Sequence, residues 1–222
     1  MITKPFRGVR AKWYAVLAGI LLLGAIGAIG AATVRGPRTV ANAAAPDSSS
    51  VRADALLHDP NSPALGNPGG AVTVVEFFDY RCPYCKQVHP AIQKLLDQDR
   101  KLRFVYKEFP VLGEQSDIAA HAALAARLQG RYEPFHNAMM AAKGQITEDQ
   151  VYRIAGSIGL DVDRLKRDMT DPEIERALSA NKSLAKALDL RGTPGFVIGD
   201  HIVPGAIDLD ALKTMVADAR KQ

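Results

Sequence analysis

The stretch FFDYRCPYCKQ, residues 77–87, holds Cys82 and Cys85, the two cysteines of a 222-residue chain. Two thiols with two residues between them suit three kinds of chemistry: a structural cross-link, part of a metal site, or a dithiol–disulfide couple. The cross-link fares badly, because so short a loop removes little chain entropy from the unfolded state. Zinc usually takes four ligands, and no second cysteine pair exists; His89 has the spacing to join Cys85 as a third ligand. Lys86 stands where c-type haem attachment requires histidine. A redox couple is the favoured chemistry, with a metal site as its rival. If Cys82 opens a helix, unpaired N–H groups and the helix dipole stabilise its thiolate and lower its pKa. A stable thiolate in the reduced form makes the corresponding disulfide a good oxidant. Cys85, one turn further on, is then the more buried, resolving thiol.

These thiols require a strand and a helix to hold them. VTVVEFF, following Gly69-Gly70, is short, apolar, β-branched and aromatic, and predicts a buried strand. Pro83 suits a first helical position, and the residues after it place Val88, Ile92, Leu95 and Leu96 on one face, with a kink expected at Pro90. LRFVYKEFP, residues 102–110, predicts a second strand, giving a strand–helix–strand crossover with the cysteines at the carboxyl end of its first strand. A long helical block follows, with helix starts at Thr147 and at Asp171-Pro172. Phe196–Ile198 and His201–Val203 flank Gly199-Asp200 as a hairpin, and a last helix covers about Leu209 to Lys221.

The N-terminal region is different in kind. Residues 13–34 form an uncharged run of 22 residues, long enough at about 1.5 Å per residue to cross a bilayer. Residues 1–12 carry Lys4, Arg7, Arg10 and Lys12, which predicts a cytoplasmic N-terminus and an exported remainder. The alternative is a long signal peptide cut near Ala41-Asn42-Ala43; the length of the run and the two arginines beyond it favour the uncleaved anchor. Residues 35–70, rich in Ala, Ser, Pro, Asn and Gly, read as a linker, so the folded domain is expected over 71–222. The basic excess belongs to the leader: residues 1–40 hold six Lys/Arg and no acid, leaving 22 basic against 24 acidic side chains in the rest. With no basic stripe interleaved with aromatics, the sequence implies no nucleic-acid partner.

VVEFFDYRCPYCK, then KEFP, then Thr193-Pro194, 108 residues after Cys85 for the threonine, together resemble the DsbA family of thioredoxin-fold disulfide oxidoreductases from about Pro63 onward. The resemblance implies an α/β thioredoxin-like fold with a helical insertion at about 114–190, preceded here by the transmembrane helix. It implies that Cys82 is the exposed nucleophile and Cys85 its buried partner, and that Pro194 is a cis-proline presenting Thr193 to an extended substrate. Pro83 and Tyr84 support the site. Glu76 matches a buried acid that handles the proton of Cys85, and Lys107 a lysine near it. Pro83-Tyr84 departs from the Pro-His of the best-known periplasmic member and implies a less oxidising pair. Glutaredoxins share Pro-Tyr but are short and lack the insertion.

The implied activity is introduction of disulfides into exported proteins with free cysteines, using the Cys82–Cys85 disulfide and no metal or nucleotide cofactor. A quinone-linked membrane protein would reoxidise the pair. The implied location is the periplasmic face of the bacterial inner membrane, or the soluble periplasm if the leader is cut. A reductase or isomerase on the same fold is the first alternative, and a metal carrier or assembly chaperone the second. His58, His121, His136 and His201 carry no recognisable catalytic spacing, and His89 reads as a partly exposed neighbour of the pair. Phe77, Phe78, Phe104, Phe109, Met139 and Met140 read as core.

Overall fold

A computed structural model describes residues 48–221. In chain order they form α1 (Ser48–Leu57), β1 (Ala64–Gly66), β2 (Val72–Phe78), α2 (Pro83–Gln98), β3 (Leu102–Glu108), α3 (Glu114–Leu128), α4 (Tyr132–Ala141), α5 (Glu148–Ser157), α6 (Val162–Asp168), α7 (Pro172–Ala187), β4 (Gly195–Ile198), β5 (His201–Pro204) and α8 (Leu209–Ala219). The expected basic segment, transmembrane run and signal-peptidase site lie outside the described residues. Within them no helix is long and apolar enough to cross a membrane.

The five strands form one sheet in the order β1-β3-β2-β4-β5. β2 and β3 run parallel, joined through α2, and Glu76 lies in register with Tyr106. β4 is antiparallel to β2, β5 to β4, and β1 to β3. Period-two alternation divides the side chains of β2 and β3 between two faces. Val74, Phe78, Phe104 and Tyr106 join the core beneath α2, α3 and α8; Val75, Phe77, Val105 and Phe109 join a second core with Leu56, Leu184, Ala185 and Leu190. Cover on both faces explains why β2 and β3 read as continuous apolar runs. Pro90 lies inside α2, which continues through it to Gln98.

The helical block caps its helices with short polar side chains. The Thr147 hydroxyl accepts from the N–H of Gln150, and the Asp171 carboxylate from that of Glu173 with Pro172 at the first helical position. α3 is the central helix of the block. Its alanines at 119, 120, 122, 123, 125 and 126 are all buried, and their small side chains let α4, α5, α6 and α7 pack around it.

Two expected boundaries differ from the structure. Ordered chain begins before residue 71: α1 covers the second core through Leu56, and Pro63 accepts a hydrogen bond from the N–H of Tyr106 as β1 joins the sheet edge. Composition hid this because Leu56, Leu57 and Leu65, few and scattered, pack against the cores of the sheet and not against each other. Gly70 lies where a Cβ would come within 2.8 Å of the 101–103 backbone, so the approach to β2 requires glycine at that point. The helical block is also not one appendage. α7 contributes Ile174 and Leu178 to the first core and Leu184 and Ala185 to the second, so its C-terminal half is a layer of the central fold.

Candidate active site

The turn after β2 builds the site. Asp79 accepts the N–H of Cys82 on its backbone carbonyl (3.0 Å), and Cys82 accepts that of Lys86 (3.2 Å), starting α2. Cys82 is thus the N-cap, in extended conformation at φ −74° and ψ 118°, with Pro83 next. Pro83 lacks an N–H and fits a position where that group would have no helical partner. The Cys82 Sγ lies 3.2 Å from the carbonyl oxygen of Thr193, to which its thiol donates. The Thr193–Pro194 peptide is cis, and Gly205 donates its N–H to the Pro194 carbonyl (2.8 Å) as β4 and β5 begin to pair.

Both cysteines are free thiols, but their surroundings differ. Cys82 is lowered to about 6, first by a hydrogen bond from Cys85, then, against the opposing effect of burial, by bonds from the Thr193 side chain and the backbone of Cys85 and Tyr84. Cys85 is fully buried and pushed up, first by burial, then by the same Cys82 contact and by the charge of Glu76. The two thiols therefore share a proton unequally, with the negative charge on Cys82. Cys82 itself is only 4% exposed. The resemblance had implied an exposed nucleophile; instead its sulfur lies buried against the Thr193 carbonyl.

Glu76 projects from β2 into the first core, 1% exposed, and neither carboxyl oxygen has a hydrogen-bond partner. Burial, followed by the charge of Cys82, raises it to about 8. It sits beneath the pair as a neutral acid at neutral pH. Lys107 is not its neighbour, and this corrects the expectation. Lys107 is in register with Phe77 and points to the other face of the sheet, where its Nζ donates to Asp59 (3.1 Å) and to the Ala55 carbonyl (2.8 Å). One residue of strand phase separates the two faces. Burial pulls the Lys107 ammonium down despite Asp59. Burial also opposes the Asp59 anion, but bonds from Ser62, Asn61 and Lys107 outweigh it and hold Asp59 low. Tyr84 is 61% exposed beside the pair.

Two groups of site residues have no recognisable spacing in the sequence. Asp79, buried three residues before Cys82, accepts hydrogen bonds from the backbone of Arg81, Val111 and Leu112 and from the Ser116 hydroxyl, at 2.7–3.1 Å. It fastens the catalytic turn to the loop after β3. Deeper, Tyr80 and Tyr132 both donate to one Glu108 oxygen (3.0 and 2.9 Å), and Tyr80 also bonds His136 Nδ1 (3.1 Å). Burial raises the Glu108 carboxyl and lowers His136. The His136 ring lies 4.3 Å from Tyr106 and 5.1 Å from His89. His89 is half-buried and lowered by that burial, and among the described residues no three metal-ligating side chains gather into an ion site. Lys86 Nζ donates to the Met139 and Ala142 carbonyls at the end of α4 (2.7 and 2.9 Å), tying α2 to the helical block.

Fold and site define a thioredoxin-fold protein with a Cys-x-x-Cys pair at a helix N-terminus. The chain belongs to the DSBA-like thioredoxin domain family, whose model matches residues 73–217. A thioredoxin-like oxidoreductase from Silicibacter pomeroyi DSS-3 is similar at 51% identity and TM-score 0.75, with 76% of this chain and 98% of that one covered. The thiol-disulfide exchange protein alpha-DsbA2 from Wolbachia pipientis is similar at 31% identity and TM-score 0.72, covering 76% and 92%. The chain spans about a quarter of the length of the first curated relatives it matches. One is Na(+)/H(+) antiporter NhaA 1 of Salinispora arenicola, 30% identical over 164 residues that make up 72% of this chain and 25% of that protein.

Proposed function

We propose that this chain is a thiol-disulfide oxidoreductase that introduces disulfides into exported proteins. The observation that carries the reading is the asymmetry of the pair. Cys82 caps α2 with its pKa lowered to about 6, whereas Cys85 is fully buried and raised.

The reaction begins from the Cys82–Cys85 disulfide. A client thiolate attacks the Cys82 sulfur, the Cys82–Cys85 bond breaks, and the Cys85 sulfur takes up a proton as it leaves. Glu76, neutral below about 8, is the proton source that lets this buried sulfur leave as a thiol. A second client thiolate then attacks the client sulfur of the mixed disulfide, and Cys82 leaves as the stabilised thiolate. The client has lost two electrons and the enzyme has gained them. Electrons pass only between sulfur pairs, so the step as written requires neither metal nor nucleotide. Thr193, its carbonyl beside Cys82, presents backbone to an extended client segment.

Repeated turnover needs an acceptor for the two electrons, and we assign that role to a quinone-linked membrane protein. The domain is placed in the periplasm, held to the inner membrane by residues 13–34, or soluble there if the leader is cut. The test is the reduction potential of the pair together with its redox state in cells. Thiols of pKa about 7 and about 3.5 accompany potentials of about −270 mV and about −120 mV in related folds, so a value between these is expected. A mostly oxidised resting state supports the oxidase. A mostly reduced one would overturn it in favour of a reductase or isomerase.

A further inference from the structure

The surface beside the catalytic turn differs from the rest of the domain in both hydrophobicity and charge. Among the described residues five large hydrophobic side chains are exposed, and Tyr84, Val111 and Leu112 are three of them. Val111 and Leu112 are held at this end of the molecule by the Asp79 carboxylate. A groove of about 620 Å³ opens between their loop and the end of α7, with Phe109, Val111 and Leu190 as apolar lining. Lys182, Lys186 and Arg191 also line it. Arg191 stands two residues before Thr193, whose carbonyl touches the Cys82 sulfur, so the Arg191 end of the groove lies within two residues of the contact with the reacting atom.

The charge does not follow from the overall balance, since residues 41–222 hold more acidic than basic side chains. Asp189 pairs with Arg191 at 2.9 Å. Lys182 and Lys186, one helical turn apart and exposed, form no ion pair among the described residues. Lys186 suits the negative end of α7, but that accounts for neither Lys182 nor the apolar lining between them and the loop. An adjoining groove shares Phe109 and Lys182 and contains Asp117 and Glu175, so the positive stretch ends there. Two unpaired cations over an apolar floor complement one kind of occupant: an extended polypeptide with an acidic side chain next to an apolar one.

We propose that this groove seats the client segment flanking the attacking cysteine, and that it selects segments in which an acidic residue adjoins an apolar one. The proposal rests on the oxidoreductase reading and supplies its substrate class. Bringing an acidic segment to the groove raises the rate at which its thiolate meets Cys82. The chemistry is unchanged: the client dithiol loses two electrons to the Cys82–Cys85 disulfide.

The test uses the full chain in its oxidised form and two synthetic dithiol peptides that differ only in Glu-Leu or Lys-Leu beside the first cysteine. Single-turnover reduction of the pair is followed by alkylation and mass spectrometry. The acidic peptide is expected to react about tenfold faster at low ionic strength, with the advantage shrinking as salt screens it. Lys182→Glu with Lys186→Glu, both on the surface, should reverse the preference. Equal rates for the two peptides, or a preference untouched by the double substitution, overturn the groove assignment while leaving the oxidoreductase reading in place. Failure of both peptides to reduce the pair overturns that reading and the assignment with it.

Discussion

At the scale of single residues, charge placement on three groups sets the chemistry. Alkylation of Cys82 in the reduced protein should follow a titration near the value of about 6 that its surroundings impose, with Cys85 unreactive; a midpoint near that of a free thiol would remove the basis for an oxidising pair. Glu76 carries a second prediction, with opposite sign. Its folded value of about 8 lies above the ordinary 4.5, so folding takes up a proton and stability falls as pH rises through that window. At pH 7 the cost is about 3 kcal/mol. Cys82 moves the other way: its folded value of about 6 lies below 9.0, so its contribution grows from pH 6 to 9. In the reduced protein the two trends oppose each other between pH 6 and 8. Glu108, also raised by burial, adds a falling trend of its own, so Glu76→Gln should remove only the share due to Glu76, and urea unfolding should show a more positive slope of stability against pH across that interval than in the unsubstituted protein. A profile unchanged by the substitution would mean that Glu76 is ionised in the folded protein.

At the scale of elements, β2 and α2 were legible because a β-branched run and a proline at a helix start are local signals. The same holds for the caps at Thr147 and Asp171. The side of the sheet a residue faces was less legible. Glu76 and Lys107 resemble a pair in sequence, yet strand register sends them to opposite faces, and a family likeness carried by residue type does not record phase. The cluster of Tyr80, Glu108, Tyr132 and His136 was invisible for a related reason. It draws on the catalytic turn, β3 and α4, and exists only after the helical block folds back over the sheet. It locks α4 to the strand that neighbours the active site. Tyr80→Phe leaves His136 Nδ1 without its partner and Glu108 with one donor in place of two. A loss of about 1–3 kcal/mol in urea unfolding is expected, with the Cys82 alkylation profile unmoved. A shifted profile would show that the cluster tunes the thiolate as well as the packing.

At the scale of the whole molecule, residues 48–70, which composition marks as linker, are part of the domain. α1 closes the second core through Leu56, β1 extends the sheet, and Asp59 supplies the carboxylate for Lys107, itself 1% exposed. Pairing with Asp59 and Ala55 is what makes a lysine tolerable beneath the sheet, because a buried ammonium without a partner is far costlier than the pair. A chain beginning at Ala71, the boundary that composition indicates, should therefore fold less stably than one beginning at Ser48 by roughly 3 kcal/mol or more. The deficit divides in two under a further substitution. Lys107→Met in the shorter chain removes the unpaired charge and should recover part of the loss, while the uncovered apolar surface around Leu184 and Val197 remains. Urea unfolding of the three proteins measures both parts. Equal stability for the chains starting at 48 and 71 would show that α1 and β1 merely rest on the sheet, and that Lys107 reaches solvent without them.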